Sequence, residues 1–259
     1  MTTKENQQKF GFKFGQNGAH SARTMMLSEL TQLFEGQPVN AKPDDYRDDI
    51  EQANVLHKPT SKSRTLTWRH LVDLYGMDIE ITLFRIFRQL WESDASARPL
   101  LACQMALTRD PILEMSKAKI LSLQLGEHLP REDMEQTISD QYPDRFSAAS
   151  LKSLAQNVNG TWTNAGYLHG RNKKHRAKPD VRPVNVAFAL LLGYLQGATG
   201  NRLFNTEWTK MLGCRQERLV ELTRQASYSG LIDFKHSSEV MEVTFPNYLN
   251  EEEESWLYE

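Results

Sequence analysis

The chain has 259 residues, 25% of them charged and 39% hydrophobic, the balance of an ordinary globular protein and not of a disordered one. Thirty-one Lys and Arg stand against 33 Asp and Glu, for a formal net charge of −2, which excludes a uniformly basic nucleic-acid binder but leaves room for a basic patch. Two cysteines, Cys103 and Cys214, cannot build a disulfide framework and read as small apolar residues inside helical patterns.

In chain order, residues 1–22 read as an extended N-terminal arm without an apolar signal-peptide core. Phe10, Phe12 and Phe14 alternate, so they could dock as one face of a short strand. Met26, Leu27, Leu30, Leu33 and Phe34 form a helical stripe ending at Gly36. Pro43 and two Asp open a helix over 43–55. Further helices are expected over 65–75, closed by Gly76, and over 80–92. Arg98–Leu107 and Pro111–Leu123 are parted by Asp110-Pro111, a natural stop. A polar helix follows over 130–142. Ser147 is a good N-cap for a helix that Asn159-Gly160 should end.

Residues 169–182 read as a Pro- and charge-rich loop. Pro183–Gln196 is apolar nearly all round, the pattern of a central buried helix. Its apolar core, VAFALLLGYL, would span about 15 Å, half of what a bilayer needs. No membrane span is expected, and the chain reads as cytoplasmic.

The last part changes character. Helices over 204–212 and 215–229 are joined by Gly213-Cys214. Two short strands follow, Ile232 and Phe234 in one and Met241, Val243 and Phe245 in the other, with His236-Ser237-Ser238 between them. Helix, turn, helix and β-hairpin is the order of a winged helix, and equally of a helical bundle ending in a hairpin. The expected fold is mainly α: a compact globular helical fold with a small C-terminal β-hairpin, winged-helix-like at the C-terminus. The divisions are an arm (1–22), a helical domain (23–200), a winged-helix-like subdomain (201–246) packed on it, and an acidic tail (247–259).

The near-neutral total hides segregation. Between Arg145 and Thr206 nine bases face the single acid Asp180. Six of them, Arg171, Lys173, Lys174, Arg176, Lys178 and Arg182, crowd into 169–182. A second stretch, Gln52–Val72, carries Lys58, Lys62, Arg64 and Arg69 and no acid. Glu251–Glu254 and Glu259 make the tail negative. Dense bases attract a polyphosphate backbone by counterion release, although a solvated surface loop has the same composition. On the second helix of the C-terminal unit Arg215, Arg218, Arg224 and Gln225 are the candidate base readers. The tail is a solubilising end, a competitor of nucleic acid for the basic patch or, more simply through Trp256, Leu257 and Tyr258, a docking segment for a partner or for the protein itself.

Chemistry-bearing motifs are missing. The seven His show no metal-ligand spacing, and no nucleophile elbow or Walker sequence occurs. The reading is therefore no enzyme, no metal and no cofactor.

The segments NVLHKPTSKSRTLTWRHLVDLYGMD, LFRIFRQLW, RPLLACQMALTRDP, FSAASLKSLAQNVNGTWTNAGYL, VAFALLLGYLQGATGNRLF and SGLIDFKHSSEVMEVTFP, in this order and spacing, resemble the BrxA family of type 1 bacteriophage exclusion (BREX) systems. The resemblance spans about Ala22 to Pro246. It implies a helical protein that acts beside a DNA methyltransferase and ATPase-like components and is associated with double-stranded DNA. It implies no catalytic residue. The expected function is a non-enzymatic, monomeric DNA-binding accessory component of phage defence. The alternative is a protein-interaction adaptor in the same complex with incidental DNA or RNA affinity.

Overall fold

The computed structural model describes residues 2–237 and 240–258. Its helices are α1 (Lys4–Phe10), α2 (Leu27–Gly36), α3 (Pro43–Glu51), α4 (Ser61–Tyr75), α5 (Thr82–Trp91), α6 (Arg98–Arg109), α7 (Pro111–Ser122), α8 (Arg131–Gln141), α9 (Ala148–Asn164), α10 (Pro183–Leu195), α11 (Glu207–Met211), α12 (Gln216–Tyr228) and α13 (Glu251–Ser255). The strands are β1 (His128–Leu129), β2 (Leu168–His169), β3 (Lys174–Arg176), β4 (Asp233–Ser237) and β5 (Val240–Thr244). They form a three-stranded antiparallel sheet of order β1-β3-β2 and a separate β4-β5 hairpin. The fold is thus mainly helical, with the expected small hairpin near the C-terminus.

Helix α10 is the hub. Its residues from Val184 to Gly193, and Leu195, are buried, and it packs on α5, α6, α11 and α12. A helix apolar all round has no face to offer water, so neighbours cover every side. Polar groups fix its register against α6: Asn185 donates to the Ala97 carbonyl at 3.1 Å and to Gln104 at 3.2 Å, and Gln104 donates to the Asn185 carbonyl at 2.9 Å. Beside it an aromatic cluster joins Phe34, Tyr46, Phe84, Phe87 and Trp91, with Phe34 and Trp91 edge to face at 5.2 Å.

Several local expectations are corrected by tertiary packing. The N-terminal segment is no extended arm. Thr3 caps α1, and Phe10 ends it fully buried. Phe12 is buried and Phe14 is exposed, so the three phenylalanines share no strand face. Helix α4 starts at Ser61, four residues early, because Thr60 and Ser63 form a reciprocal cap. Helix α9 runs straight through Asn159-Gly160. A Cβ at Gly160 would lie 3.1 Å from the Thr24 methyl, so the glycine serves close approach of the N-terminal segment and not termination. The expected helix over 204–212 is a 3₁₀ turn, Gly200–Asn205, followed by the single turns of α11 capped by Thr206. His236 and Ser237 belong to β4, not to the turn; Ser238 lies outside the described residues.

The boundary at 200–201 is no break in the core. Helix α10 packs against both α11 and α12, so the helix-turn-helix-hairpin unit takes its third helix from the region assigned to the larger domain. One apolar cluster runs from Phe10 to Tyr248.

The acidic tail is folded back on the body. Asn250 and Glu253 cap α13 reciprocally. Glu253 is buried and accepts two 2.7 Å bonds from Arg85 and one from Thr82. Burial favours its neutral form, but Arg85 and Thr82 pull its carboxyl below the ordinary value overall. The Trp256 ring lies 5.2 Å from Phe10, and its carbonyl accepts from Asn6 at 3.0 Å. This contact joins the two ends of the chain. Glu253→Ala strands a half-buried guanidinium, and we expect a local loss of about 2–3 kcal/mol. Faster hydrogen exchange over 250–258 with slow exchange retained in α10 checks this. Unchanged tail protection would refute it.

Candidate nucleic-acid interface

The basic segment 169–182 is not a loose loop. Residues 168–176 form the β2-β3 hairpin, and β1 adds a third strand on its other edge. Leu168 pairs with Arg176 and His169 with His175, while His128 pairs with His175 and Leu129 with Lys174. Side chains alternate across a strand. Leu129, Leu168 and Arg176 are therefore buried, and His128, His169 and His175 line up on the outer face. Ring centroids are 5.2 Å apart for His128–His175 and 5.5 Å for His169–His175. His175 Nδ1 lies 3.1 Å from the Gly126 carbonyl. This three-imidazole row escaped sequence reasoning, because His128 lies 41 residues before His169 and only the strand register joins them. Among the described residues no group of three or more His, Cys, Asp or Glu is placed to hold a metal ion.

The hairpin tip requires Gly170. Its φ is +98°, and a Cβ there would sit 2.1 Å from the Lys173 carbonyl oxygen. The turn throws Arg171, Asn172 and Lys173 into solvent.

The structure sorts the twelve candidate bases by what already holds them. Arg176 is 9% exposed. It donates to the Tyr167 and Ala177 carbonyls, and its guanidinium lies 5.2 Å from the Tyr167 ring centre. It is a brace under the sheet and not a phosphate contact, which corrects the sequence reading. Lys174 donates to the Gly170 carbonyl at 2.7 Å. Arg182 pairs with Asp94 at 3.1 Å. Lys58 pairs with Glu29 at 2.9 Å, an acid from α2 that lies far from it in sequence. Arg64 donates to the Glu51 carbonyl at 2.8 Å. Arg171, Lys173, Lys178, Arg215, Arg218, Lys62 and Arg69 are exposed and hold no ion pair among the described residues.

Two of these bases act on one thiol although 40 residues separate them. Lys178, just past β3, and Arg218, on the first turn of α12, both act on the Cys214 thiol. Burial pushes that thiol up, and the two cations pull it down. The Tyr167 hydroxyl donates to the Met211 carbonyl at 2.8 Å and so ties the base of the hairpin to the turn before α12. The base of the hairpin and the turn before α12 therefore adjoin. Further along α12 the other base-reading candidates are committed: Arg224 and Gln225 each bind Glu221 at 2.9 Å. The β4-β5 hairpin sets Lys235 opposite Glu242 and adds little positive field. The second basic stretch has other supports, since α4 packs on α3 and α6. No hydrogen bond or ion pair among the described residues joins it to the hairpin.

One constellation resembles a catalytic relay. His20 Nδ1 lies 2.8 Å from Asp110 Oδ2, and Nε2 lies 2.8 Å from Thr161 Oγ1. His20, Asp110 and Thr161 are at most 1% exposed. The chain of bonds seats the N-terminal segment on α7 and α9, and substrate has no access to it.

No protein-family model matches the chain, and no curated protein sequence is significantly similar to it. No helix among the described residues is long and apolar enough to cross a membrane.

Proposed function

We propose that the protein is a non-enzymatic double-stranded DNA-binding component of a BREX phage-defence system, acting with a DNA methyltransferase and ATPase-like partners. The defence assignment rests on the resemblance to the BrxA family. The DNA assignment rests on one observation: exposed bases without an ion pair, Arg171 and Lys173 at the hairpin tip, Lys178 just past it, and Arg215 and Arg218 at the start of α12, sit on two elements joined at the hairpin base by the Tyr167–Met211 bond. Cations on a protruding hairpin and a helix start suit contact with phosphates, which positions a protein without reading sequence. A non-specific Kd of about 1–100 µM at physiological salt is the range for such a surface.

The test is a gel shift with duplex DNA, single-stranded DNA and RNA at two salt concentrations. Duplex binding that weakens steeply with salt supports the reading. Equal or tighter binding of RNA, or no shift, would refute it. The adaptor alternative has less support, because Trp256, one of the three tail side chains it invoked, packs on Phe10.

A further inference from the structure

A second feature lies away from the hairpin. A cavity of about 640 Å³ opens between the loop that follows α1 and the face of α4; Lys13, Arg69, His70, Asp73 and Arg109 line it, together with residues 14–19 and Ser21. That volume suits a ligand of nucleotide size.

Its charge is unbalanced in a particular way. Arg109 is 7% exposed. Its guanidinium donates to the carbonyls of Gly11, Val72 and Asp73 and contacts no carboxylate. Carbonyls take three of its five N–H donors and leave its charge uncompensated, whereas buried charges are ordinarily paired. Burial lowers this guanidinium to about 10, so it stays cationic at neutral pH. The acid within reach, Asp73, is already bound to Lys13 at 2.9 Å. Arg69 is exposed at the rim without an ion pair.

His70 is the independent observation. It is 7% exposed, and its Nδ1 is buried with no hydrogen-bond partner among the described residues. A buried unpaired polar atom is costly and rare in native proteins, and this one belongs to a residue that lines the cavity. In the loop, the backbone N–H groups of Phe14 through Gly18 make no hydrogen bond among the described residues.

We propose that this cavity is an oxyanion site for a phosphate monoester, with Arg69 and Arg109 supplying the compensating charge and His70 lining the seat. Arginine forks match phosphate oxygens bidentately. The proposal does not rest on the duplex-binding reading, since the hairpin contributes no residue to the cavity. The ester has two sources, a free nucleotide or the phosphorylated end of a nucleic acid.

The experiment is calorimetric titration of the full chain in chloride-poor buffer with inorganic phosphate, a nucleoside monophosphate, and a short duplex with or without a 5′ phosphate. We expect phosphate and nucleotide to bind and to shift the ring resonances of His70. Arg69→Ala is exposed and should fold; it is expected to weaken binding about tenfold, as for one lost charged contact. Preference for the 5′-phosphorylated duplex over the 5′-hydroxyl one identifies a strand end as the source, and equal duplex binding with a tighter nucleotide identifies the free ester. Lack of binding by phosphate and nucleotide would overturn the site, as would binding that Arg69→Ala leaves intact with the His70 resonances unmoved.

Discussion

Asp110→Ala is expected to destabilise the protein by about 3–5 kcal/mol, the cost of breaking a buried, fully bonded charge network. Asp110 is 1% exposed. Oδ1 accepts from the backbone N–H groups of Ile112 and Leu113, capping α7, and Oδ2 accepts from the His20 backbone and faces its ring at 2.8 Å. Truncation strands three backbone donors and one imidazole in a buried site. The site leaves no slack on its other side: a Cβ at Gly18 would lie 2.0 Å from Oδ1.

The pH dependence follows in sign. Burial alone would raise the Asp110 carboxyl, but the His20 ring and the backbone N–H groups hold it below its ordinary value. A depressed folded-state pKa adds stability that is present above the unfolded value of about 4 and is lost as pH falls through the lower folded value. Urea midpoints of the wild type and of Asp110→Asn, measured from pH 7 down to about pH 3, should converge in acid. A gap of constant size would refute the charge role. An unchanged midpoint at neutral pH would refute the network altogether.

The second large effect concerns binding. The variant carrying Arg171→Glu, Lys173→Glu and Lys178→Glu is expected to lose about a hundredfold in duplex affinity at low salt, and its log K against log salt slope should flatten by about 0.9 per lost phosphate contact. All three side chains are exposed, so the fold should survive, which circular dichroism confirms or denies. Arg176 and Lys174 are left out because they brace the hairpin. Lys62→Glu, on α4, is the control and should change affinity by less than about twofold if the two basic stretches act separately. Equal losses in both variants would mean that charge alone, and not this surface, governs binding.

Much of the helical plan was legible because it is local. The apolar periodicity of α2, α5, α6, α7 and α10, the cap at Ser147, the stop at Asp110-Pro111 and the Pro43 helix start act within one or two turns. The candidate site was legible only as composition. Counting bases located residues 169–182, but a count cannot separate Arg176, which is buried against Tyr167, from Lys173, which is in solvent. Strand register makes that distinction, and register depends on pairing with β1 some 45 residues earlier.

The sequence by itself determined a mainly helical chain built on an apolar central helix, with a small C-terminal hairpin and a basic segment set against a near-neutral total. Only the tertiary structure decided which bases are spare, that the base of the hairpin adjoins the turn before α12, and that no hydrogen bond or ion pair among the described residues links the second basic stretch to the hairpin. It also turned an acidic tail into a clasp through Glu253 and Arg85. The reason is physical: a charge belongs to its residue, but its neutralisation belongs to its neighbours. Glu29 beside Lys58, Asp94 beside Arg182 and Glu221 beside Arg224 turn part of a formal charge surplus into structure. The net charge of −2 is a sum over positions, and folding decides which of them remain in contact with water.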